Sequence, residues 1–233
     1  MEIIAEIGQN HNGDMQLACD LIKAAKDNGA DVAKFQLYNA KKVFPKEGNE
    51  WFEYNCQTEI SKDQMYLLAE ECKKVDIEFM ASAFDTERVN WLEELGVQRY
   101  KIASRSIFDK ELIQKISDTG KSMLVSLAFW DKPEFPKIQS KGKVQYLYCI
   151  SEYPTMLNDL KFSQIEFPKK YIGFSDHTVG ITAAIVAFAR GAQILEKHFT
   201  LDKSMYGPDH LGSMTPGELK QIHKYRLEIE QCL

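Results

Sequence analysis

The sequence Gly-Phe-Ser-Asp-His-Thr at residues 173–178 decides the fold when it is read together with Ile-Leu-Glu-Lys-His-Phe-Thr at residues 194–200. Each stretch begins with apolar residues, as a buried strand does, and ends with polar ones. The residues between them, 179–191, are predicted to form a helix. Strands that alternate with helices build a parallel sheet, so the carboxyl ends of these two strands should lie side by side. His177 and His198 stand at those two ends and are expected to converge.

The same alternation of strand and helix recurs along the whole chain. Strands are predicted at residues 3–8, 32–37, 77–83, 98–102, 122–127, 143–150, 171–175 and 193–198. A helix or short helical segment follows each, except the fifth, where Pro133 and Pro136 disfavour one. Eight such units predict a single (β/α)₈ TIM barrel over residues 1–233. An open doubly wound sheet is the alternative, but residues 7–13 do not match the Gly-x-Gly-x-x-Gly loop that it needs.

Composition limits the class of protein. Apolar residues make up 44% and charged residues 27% of the chain, as in a soluble globular enzyme, and no apolar run is long enough to span a membrane. The net charge of −5 argues against nucleic-acid binding, which needs a basic excess. The five cysteines show no Cys-x-x-Cys spacing and are expected to be reduced. With no secretory signal at the N-terminus, a cytoplasmic location is predicted.

Ionisable or hydroxyl-bearing side chains stand at nearly every predicted strand end, where a barrel places its active site. Burying charge inside apolar strands is costly unless the charge is paired or binds a ligand. A salt bridge or a helix cap would explain each residue alone, so the prediction of a site depends on their joint occurrence. The set is Glu6, Lys34, Gln36, Asp85, Lys101, Ser104, Ser151, Tyr153, Ser175, Asp176, His177, Glu196 and His198.

This set combines two kinds of chemistry. Lys34 and Lys101, with the hydroxyl groups of Ser104 and Ser175, suit a phosphate or a carboxylate. The two histidines supply neutral imidazole, a common ligand of divalent metals, although spacing alone leaves two unrelated histidines as an equal alternative. An anion pocket beside a metal suits the joining of a phosphorylated enol to an aldehyde.

The motifs of the chain resemble those of the sialic acid synthase (N-acetylneuraminate synthase) family. The resemblance is carried by Ala5-Glu6-Ile7-Gly8-x-Asn10-His11-x-Gly13, Lys34-x-Gln36, Ser82-x-Phe84-Asp85, Lys101-Ile102-Ala103-Ser104, Tyr153-Pro154, Gly173-x-Ser175-Asp176-His177-Thr178, Glu196-Lys197-His198-Phe199-Thr200 and Gly207-Pro208-Asp209-His210. These motifs follow the family's order over almost the whole chain, so the resemblance is specific.

That resemblance implies a TIM barrel that condenses phosphoenolpyruvate with an open-chain N-acetylated amino sugar, such as N-acetylmannosamine. The products would be a nonulosonic acid and phosphate. It implies a divalent metal, Mn²⁺ or Mg²⁺, bound by His177 and His198, and it makes these histidines, Glu6 and Asp209 the expected catalytic residues. The substrate-binding residues that it implies are Lys34, Gln36, Lys101, Ser104, Ser151, Tyr153, Ser175 and Phe84.

The chain also departs from the family's pattern. Ser151 stands where many members have asparagine, and Ser106 where sialic acid synthases proper tend to have glutamate. Ser-Leu-Ala-Phe at residues 126–129 replaces the usual Ser-Thr-Gly-Met-like exit of the fifth strand. The antifreeze-like C-terminal domain of the family, which reaches into the partner subunit's site, is expected to be absent. These departures concern the sugar rather than the anion pocket or the metal.

A cover for the sugar is therefore expected from elsewhere. The predicted loop over residues 38–60 is rich in aromatics, including Phe44, Trp51, Phe52 and Tyr54, and is expected to fold over the mouth of the barrel as a lid. A neighbouring subunit, as in a homodimer, or a separate protein is the alternative. Two other functions also stay open: a metal-dependent lyase or isomerase acting on a small keto acid, and a catalytically silent or partner-dependent barrel that binds a sugar acid.

Overall fold

The computed structural model describes all 233 residues and contains a closed barrel of eight parallel strands in chain order. The strands are β1 (Glu2–Gly8), β2 (Val32–Leu37), β3 (Glu78–Ala83), β4 (Arg99–Ile102), β5 (Ser122–Ser126), β6 (Val144–Cys149), β7 (Gly173–Asp176) and β8 (Ile194–His198). Pairing of β1 with β8 closes the barrel. The predicted (β/α)₈ fold is confirmed, and the ends of each strand differ from the prediction by at most two residues.

Helices cover the outside of the barrel. They are α1 (Met15–Asp27), α2 (Ala40–Val43), α3 (Phe52–Gln57), α4 (Lys62–Lys74), α5 (Thr86–Leu95), α6 (Lys110–Asp118), α7 (Thr182–Ala189) and α8 (Pro216–Cys232). No helix follows β5, as Pro133 and Pro136 in the segment after it predict, and two short 3₁₀ turns replace a helix after β6. None of these helices has the length and apolar character needed to cross a membrane.

Capping residues set where the main helices begin. The side chain of Asp14 accepts hydrogen bonds from two backbone N–H groups at the start of α1. Ser61 with Gln64 forms a capping box on α4, and Thr215 with Glu218 forms another on α8. Each cap satisfies N–H groups that have no partner inside the helix, and so fixes the point at which the chain leaves the preceding loop.

The segment 38–60 is more ordered than its sequence predicts, because α2 and α3 lie within it. Asn39 caps α2 by accepting a hydrogen bond from the backbone of Lys42. Tyr54, on α3, is buried, and its hydroxyl group lies 2.9 Å from the carbonyl oxygen of Gln9. The segment is therefore attached to the turn that follows β1.

The hydrophobic core has two parts. A large cluster of 42 buried residues fills the space between the barrel and its helices. A second cluster of six lies inside the barrel and forms an apolar floor. The floor residues are Ile4, Val32, Met80, Leu124, Leu147 and Ile194. Each of them lies at least two residues before the carboxyl end of its strand, so the floor closes the barrel below that end, and any cavity must open at the carboxyl ends.

Candidate active site

A layer of polar side chains lies directly above the apolar floor. Residues two apart in a strand point to the same side, so the residue two positions after each floor residue also faces the interior. These residues are Glu6, Lys34, Ser82, Ser126, Cys149 and Glu196, and they line one cavity together with Lys101 and Ser175. The strand register therefore accounts for most of the charged interior.

Lys34 lies between two carboxylates in this layer. Its ammonium group donates a hydrogen bond of 2.6 Å to Glu6 and lies 3.5 Å from Glu196. Burial alone would lower the pKa of Lys34, but the charges of Glu196 and Glu6 together raise it above its ordinary value. Lys34 is therefore a permanent cation that has two acidic partners.

Lys101 has a poorer set of partners. Its ammonium group lies 3.3 Å from Glu196 and donates a hydrogen bond of 2.9 Å to the hydroxyl group of Ser126. Burial lowers the pKa of Lys101, and the nearby charge of Glu196 does not fully offset that effect. A dianion placed against Lys101 would stabilise its charged form, so this lysine has more to gain from an anionic ligand than Lys34 has.

Neutral donors and a glycine hold the two carboxylates in place. The hydroxyl group of Ser175 donates to Glu196 at 2.8 Å, and the amide of Gln36 donates to Glu6 at 2.9 Å. Gly8 follows Glu6 at the end of β1 with a φ of +54°, and a Cβ there would lie 3.3 Å from the side chains of both Gln36 and His198. A side chain at position 8 would thus be strained and would crowd the site.

His177 is fixed in one orientation by its hydrogen bonds. Its Nδ1 donates to the carbonyl oxygen of Ile150 at 2.6 Å, which leaves Nε2 as an acceptor for the hydroxyl group of Tyr153 at 2.9 Å. Burial lowers the pKa of His177 to about 3, so the ring is neutral at physiological pH. A neutral imidazole with an accepting nitrogen at the cavity can bind a metal.

His198 has a ring nitrogen that is available to bind a metal. Its ring centroid lies 6.1 Å from that of His177, and its buried Nδ1 has no hydrogen-bond partner. The nearest carboxylate, that of Asp209, is 4.0 Å from this nitrogen. A buried polar atom without a partner needs an explanation, and a missing ligand is one. The two imidazoles fit a divalent metal, although no group of three or more His, Cys, Asp and Glu side chains is arranged as a metal site.

The remaining predicted residues lie at the mouth of the cavity. Tyr153 is exposed and stacks on His177 with ring centroids 4.0 Å apart. The hydroxyl oxygen of Ser104 accepts the backbone N–H of Phe129 at 2.7 Å, which leaves its own proton free to be donated. Phe84 and Ser151 also line the cavity.

All twelve residues predicted for the site line this single cavity, which has a volume of about 370 Å³. Two other acids in the sequence-based set have structural contacts. Asp85 caps α5 by accepting the backbone N–H of Arg88 at 2.9 Å. Asp176 forms a buried ion pair of 3.0 Å with Lys197, so its charge is already neutralised. The structure thus brings the predicted site residues together around one cavity.

A family comparison agrees with this arrangement of fold and cavity. The model of the NeuB family matches residues 21–233. The chain belongs to the NeuB family.

Two enzymes and one solved structure show how similar this chain is to other proteins. An N,N'-diacetyllegionaminic acid synthase of Legionella pneumophila is 36% identical over 94% of this chain and 69% of its own length. The human N-acetylneuraminate-9-phosphate synthase is 33% identical over 99% of this chain and 70% of its own length. A crystal structure of the N-acetylneuraminic acid synthetase of Leptospira borgpetersenii, in complex with citrate, superposes with a TM-score of 0.91 at 34% identity, covering 99% of this chain and 84% of that one.

Several residues of this NeuB-family cavity were not anticipated from the sequence. Ser82 and Ser126 follow floor residues at the two-residue spacing, and this spacing is the signal that would have identified them. Arg105 also lines the cavity, but it lies beyond the end of β4 in a 3₁₀ turn, Ser104–Ser106, where strand periodicity no longer predicts the direction of a side chain.

The aromatic lid expected for the sugar is only partly in place. Phe44 lines the cavity. Trp51 and Tyr54 instead contact the ring of Tyr206, with ring centroids 5.4 and 5.8 Å from that of the tyrosine. Phe52 is not among the cavity-lining residues. Of the four aromatics expected to form a lid, only Phe44 reaches the substrate cavity in this structure.

Proposed function

We propose that this chain condenses phosphoenolpyruvate with an open-chain N-acetylated amino sugar to form a nonulosonic acid and phosphate. One observation supports the proposal most directly. The same cavity is lined by two buried lysines, Lys34 and Lys101, and by two histidines, His177 and His198. Lysines suit the anionic groups of phosphoenolpyruvate, and the histidines suit a metal that receives the aldehyde. Membership of the NeuB family favours this synthase over the lyase and the silent barrel.

The reaction divides into carbon–carbon bond formation and loss of phosphate. The methylene carbon of phosphoenolpyruvate attacks the aldehyde carbon of the sugar, and water adds to the former enol carbon. The bond between that carbon and the phosphate oxygen then breaks, which releases phosphate and leaves the keto group of the product. Negative charge grows on the departing phosphate, where Lys34 and Lys101 would stabilise it. Ser104 and Ser175 would add neutral donors.

Two acidic residues of the cavity are proposed to transfer protons. Glu6 pairs with His198 across β1 and β8, and the carboxylate of Asp209 lies 4.0 Å from Nδ1 of His198. A carboxylate at this place could accept a proton from the attacking water and return one to the new hydroxyl group. Gln36 would hold Glu6 in position through its hydrogen bond. Tyr153, Ser151 and Phe84 are proposed to contact the sugar at the mouth.

The proposed metal ligands are His177 and His198, with Mn²⁺ or Mg²⁺ as the metal. When bound, such an ion polarises a carbonyl group and so makes the aldehyde a better electrophile. We also propose that residues 1–233 act as one catalytic domain in a cytoplasmic protein, which the five free cysteines support. The family resemblance supports a homodimer.

A phosphate-release assay tests the proposed reaction. Purified protein is incubated with Mn²⁺, phosphoenolpyruvate and a panel of amino-sugar aldehydes, and phosphate should appear only when both substrates are present. Lys101→Met should reduce the rate strongly, whereas Lys170→Met, at an exposed pair with Glu166, should leave it unchanged. Absence of phosphate release with every amino sugar would contradict the synthase, and cleavage of a keto acid without any sugar would favour the lyase.

A further inference from the structure

Four cationic side chains line the cavity, and three of them already have acidic partners. Lys34 lies 2.6 Å from Glu6, and Lys101 lies 3.3 Å from Glu196. Lys197 lies 3.0 Å from Asp176. The fourth cation, the guanidinium group of Arg105, has neither an ion pair nor a hydrogen bond with the protein.

The guanidinium group of Arg105 is nevertheless held in place. Its central carbon lies 4.9 Å from the ring centroid of Phe44 and 6.0 Å from that of Phe84. Both rings line the cavity. Contact with aromatic faces orients a guanidinium group while its N–H donors, which lie in its plane, stay free. Arg105 thus presents unused donors at a defined place.

The charge balance of the cavity shows what these donors would meet. The acidic residues of the lining are Glu6, Asp176, Glu196 and Asp209, and the basic ones are Lys34, Lys101, Lys197 and Arg105. Four negative and four positive charges cancel, so the cavity as a whole has no cationic excess for a phosphorylated substrate. Arg105 is the one cation of the lining whose charge is not already balanced by a neighbouring carboxylate, and a planar guanidinium group matches phosphate oxygens well.

Depth separates Arg105 from the lysines. Lys34 and Lys101 are each 2% exposed and lie in the polar layer above the floor, whereas Arg105 is exposed at the rim. A phosphate at Arg105 would therefore sit near the entrance. This difference in depth bears on whether the sugar substrate carries a phosphate. One relative is named for a product with a 9-phosphate, and the name of another contains no phosphate.

We propose that Arg105 is a phosphate-binding residue of the substrate site. The phosphate belongs either to phosphoenolpyruvate or to a phosphorylated amino sugar whose far end reaches the rim. The proposal rests on the proposed function, and it names the substrate group that decides which amino sugars are used. If the phosphate is that of the sugar, this chain prefers amino-sugar phosphates to free amino sugars.

The experiment compares Arg105→Gln and Arg105→Lys with the parent, using phosphoenolpyruvate with an amino sugar and with its 6-phosphate. Loss of charge-assisted hydrogen bonds to phosphate should raise KM for the phosphate-bearing substrate about 10- to 100-fold in Arg105→Gln. Arg105→Lys should recover part of the loss. Arg190→Gln, at an exposed arginine outside the cavity, is the matched control and should behave as the parent.

Each result has one meaning. A rise in KM for phosphoenolpyruvate with either sugar identifies its phosphate as the ligand. A rise in KM for the sugar 6-phosphate alone identifies the sugar phosphate. Unchanged KM values for all three substrates would overturn the proposal.

A binding measurement separates this proposal from the proposed function. If the parent protein catalyses no condensation, calorimetric titration of parent and Arg105→Gln with phosphoenolpyruvate, and then with the sugar 6-phosphate, still tests Arg105. Weaker binding of either ligand to the variant supports the residue's role while the synthase fails. Equal binding of both overturns that role as well. Circular dichroism should show equal folding, since Arg105 packs only at the rim.

Discussion

The ammonium group of Lys34 lies 2.6 Å from the carboxylate of Glu6, in the interior of the barrel. Both side chains are at most 5% exposed, so water screens this pair very little. The pair would have to open or share its charge when phosphoenolpyruvate binds, because a phosphate and Glu6 compete for the same ammonium group. The first prediction follows from that competition.

Glu6→Gln should destabilise the ligand-free protein and increase the stabilisation that bound phosphoenolpyruvate gives. Removing one partner of a buried ion pair costs about 3 to 5 kcal/mol in the free energy of unfolding when the other charge is left unpaired. Glu196 remains 3.5 Å from Lys34, so the expected cost is smaller, about 1 to 3 kcal/mol. Phosphoenolpyruvate should restore more stability to the variant than to the parent, because the carboxylate of Glu6 no longer competes with it for the ammonium group of Lys34. Urea unfolding with and without phosphoenolpyruvate measures both effects.

The exposed pair of Glu166 and Lys170 supplies a control for this prediction. Its side chains are 54% and 62% exposed, and Glu166→Gln should change the free energy of unfolding by less than about 1 kcal/mol. If Glu6→Gln proved as mild as Glu166→Gln, the buried pair would not have the importance inferred for it.

Lys101→Met should weaken the binding of phosphoenolpyruvate. Charge-assisted hydrogen bonds to phosphate contribute about 1.5–3 kcal/mol each, which corresponds to about one to two decades in the dissociation constant. Calorimetric titration gives the constant directly. Lys121→Met is the matched control, because Lys121 forms a 2.7 Å pair with Glu93 outside the cavity. Equal affinity in Lys101→Met and the parent would remove Lys101 from the anion site.

The double variant His177→Ala/His198→Ala should lose a bound divalent metal. Burial lowers the pKa of His177 to about 3, so this ring does not need to lose a proton to bind a metal at neutral pH. Metal analysis of protein dialysed against Mn²⁺ is the measurement. His223→Ala, at a histidine that contacts Arg226 on α8, should keep the parent's metal content. Equal content in all three proteins would exclude the proposed site.

His11 should make stability depend on pH between about 6.5 and 4. The ring is buried, and burial lowers its pKa from the ordinary 6.5 to about 4. In this window the unfolded chain binds a proton and the folded protein does not, so stability falls as the pH falls. The expected loss is about 3 kcal/mol, at 1.36 kcal/mol per pH unit.

The variant His11→Asn isolates this contribution, because asparagine does not titrate. Urea unfolding at pH 7 and at pH 4.5 should show a smaller loss of stability in His11→Asn than in the parent. Carboxylates and other histidines add the same pH dependence to both proteins and cancel in the comparison. Identical losses in the two proteins would mean that folding does not lower the pKa of His11.

The parts of the site that could be predicted from the sequence are those that strand geometry places. Glu6, Lys34 and Glu196 are charged residues inside apolar strands, and parallel pairing brings them to one edge. His177 and His198 follow from the same reasoning. Asp209 does not, because it lies in a loop after β8 and was identified only through the family resemblance.

Contacts between side chains could not be predicted from the sequence. Strand spacing does not say that Lys34 has two acidic neighbours while Lys101 has one, and this difference is what separates the pKa shifts of the two lysines. The edge-to-face contact of Tyr54 with Tyr206 joins residues far apart in the chain. Arg105 was overlooked because its direction is set by a 3₁₀ turn rather than by a strand.

The apolar floor has a kinetic consequence. Six packed side chains close the barrel below Lys34 and Lys101, so reactants and products share a single entrance. The ligand that occupies the lysines must enter before the sugar fills the space above it. Under the proposed reaction, phosphoenolpyruvate is therefore the first substrate in a compulsory order, and the phosphate left against the lysines departs only after the nonulosonic acid. Initial-rate and product-inhibition patterns should accordingly be those of an ordered sequential mechanism, with phosphate competing against phosphoenolpyruvate and not against the sugar.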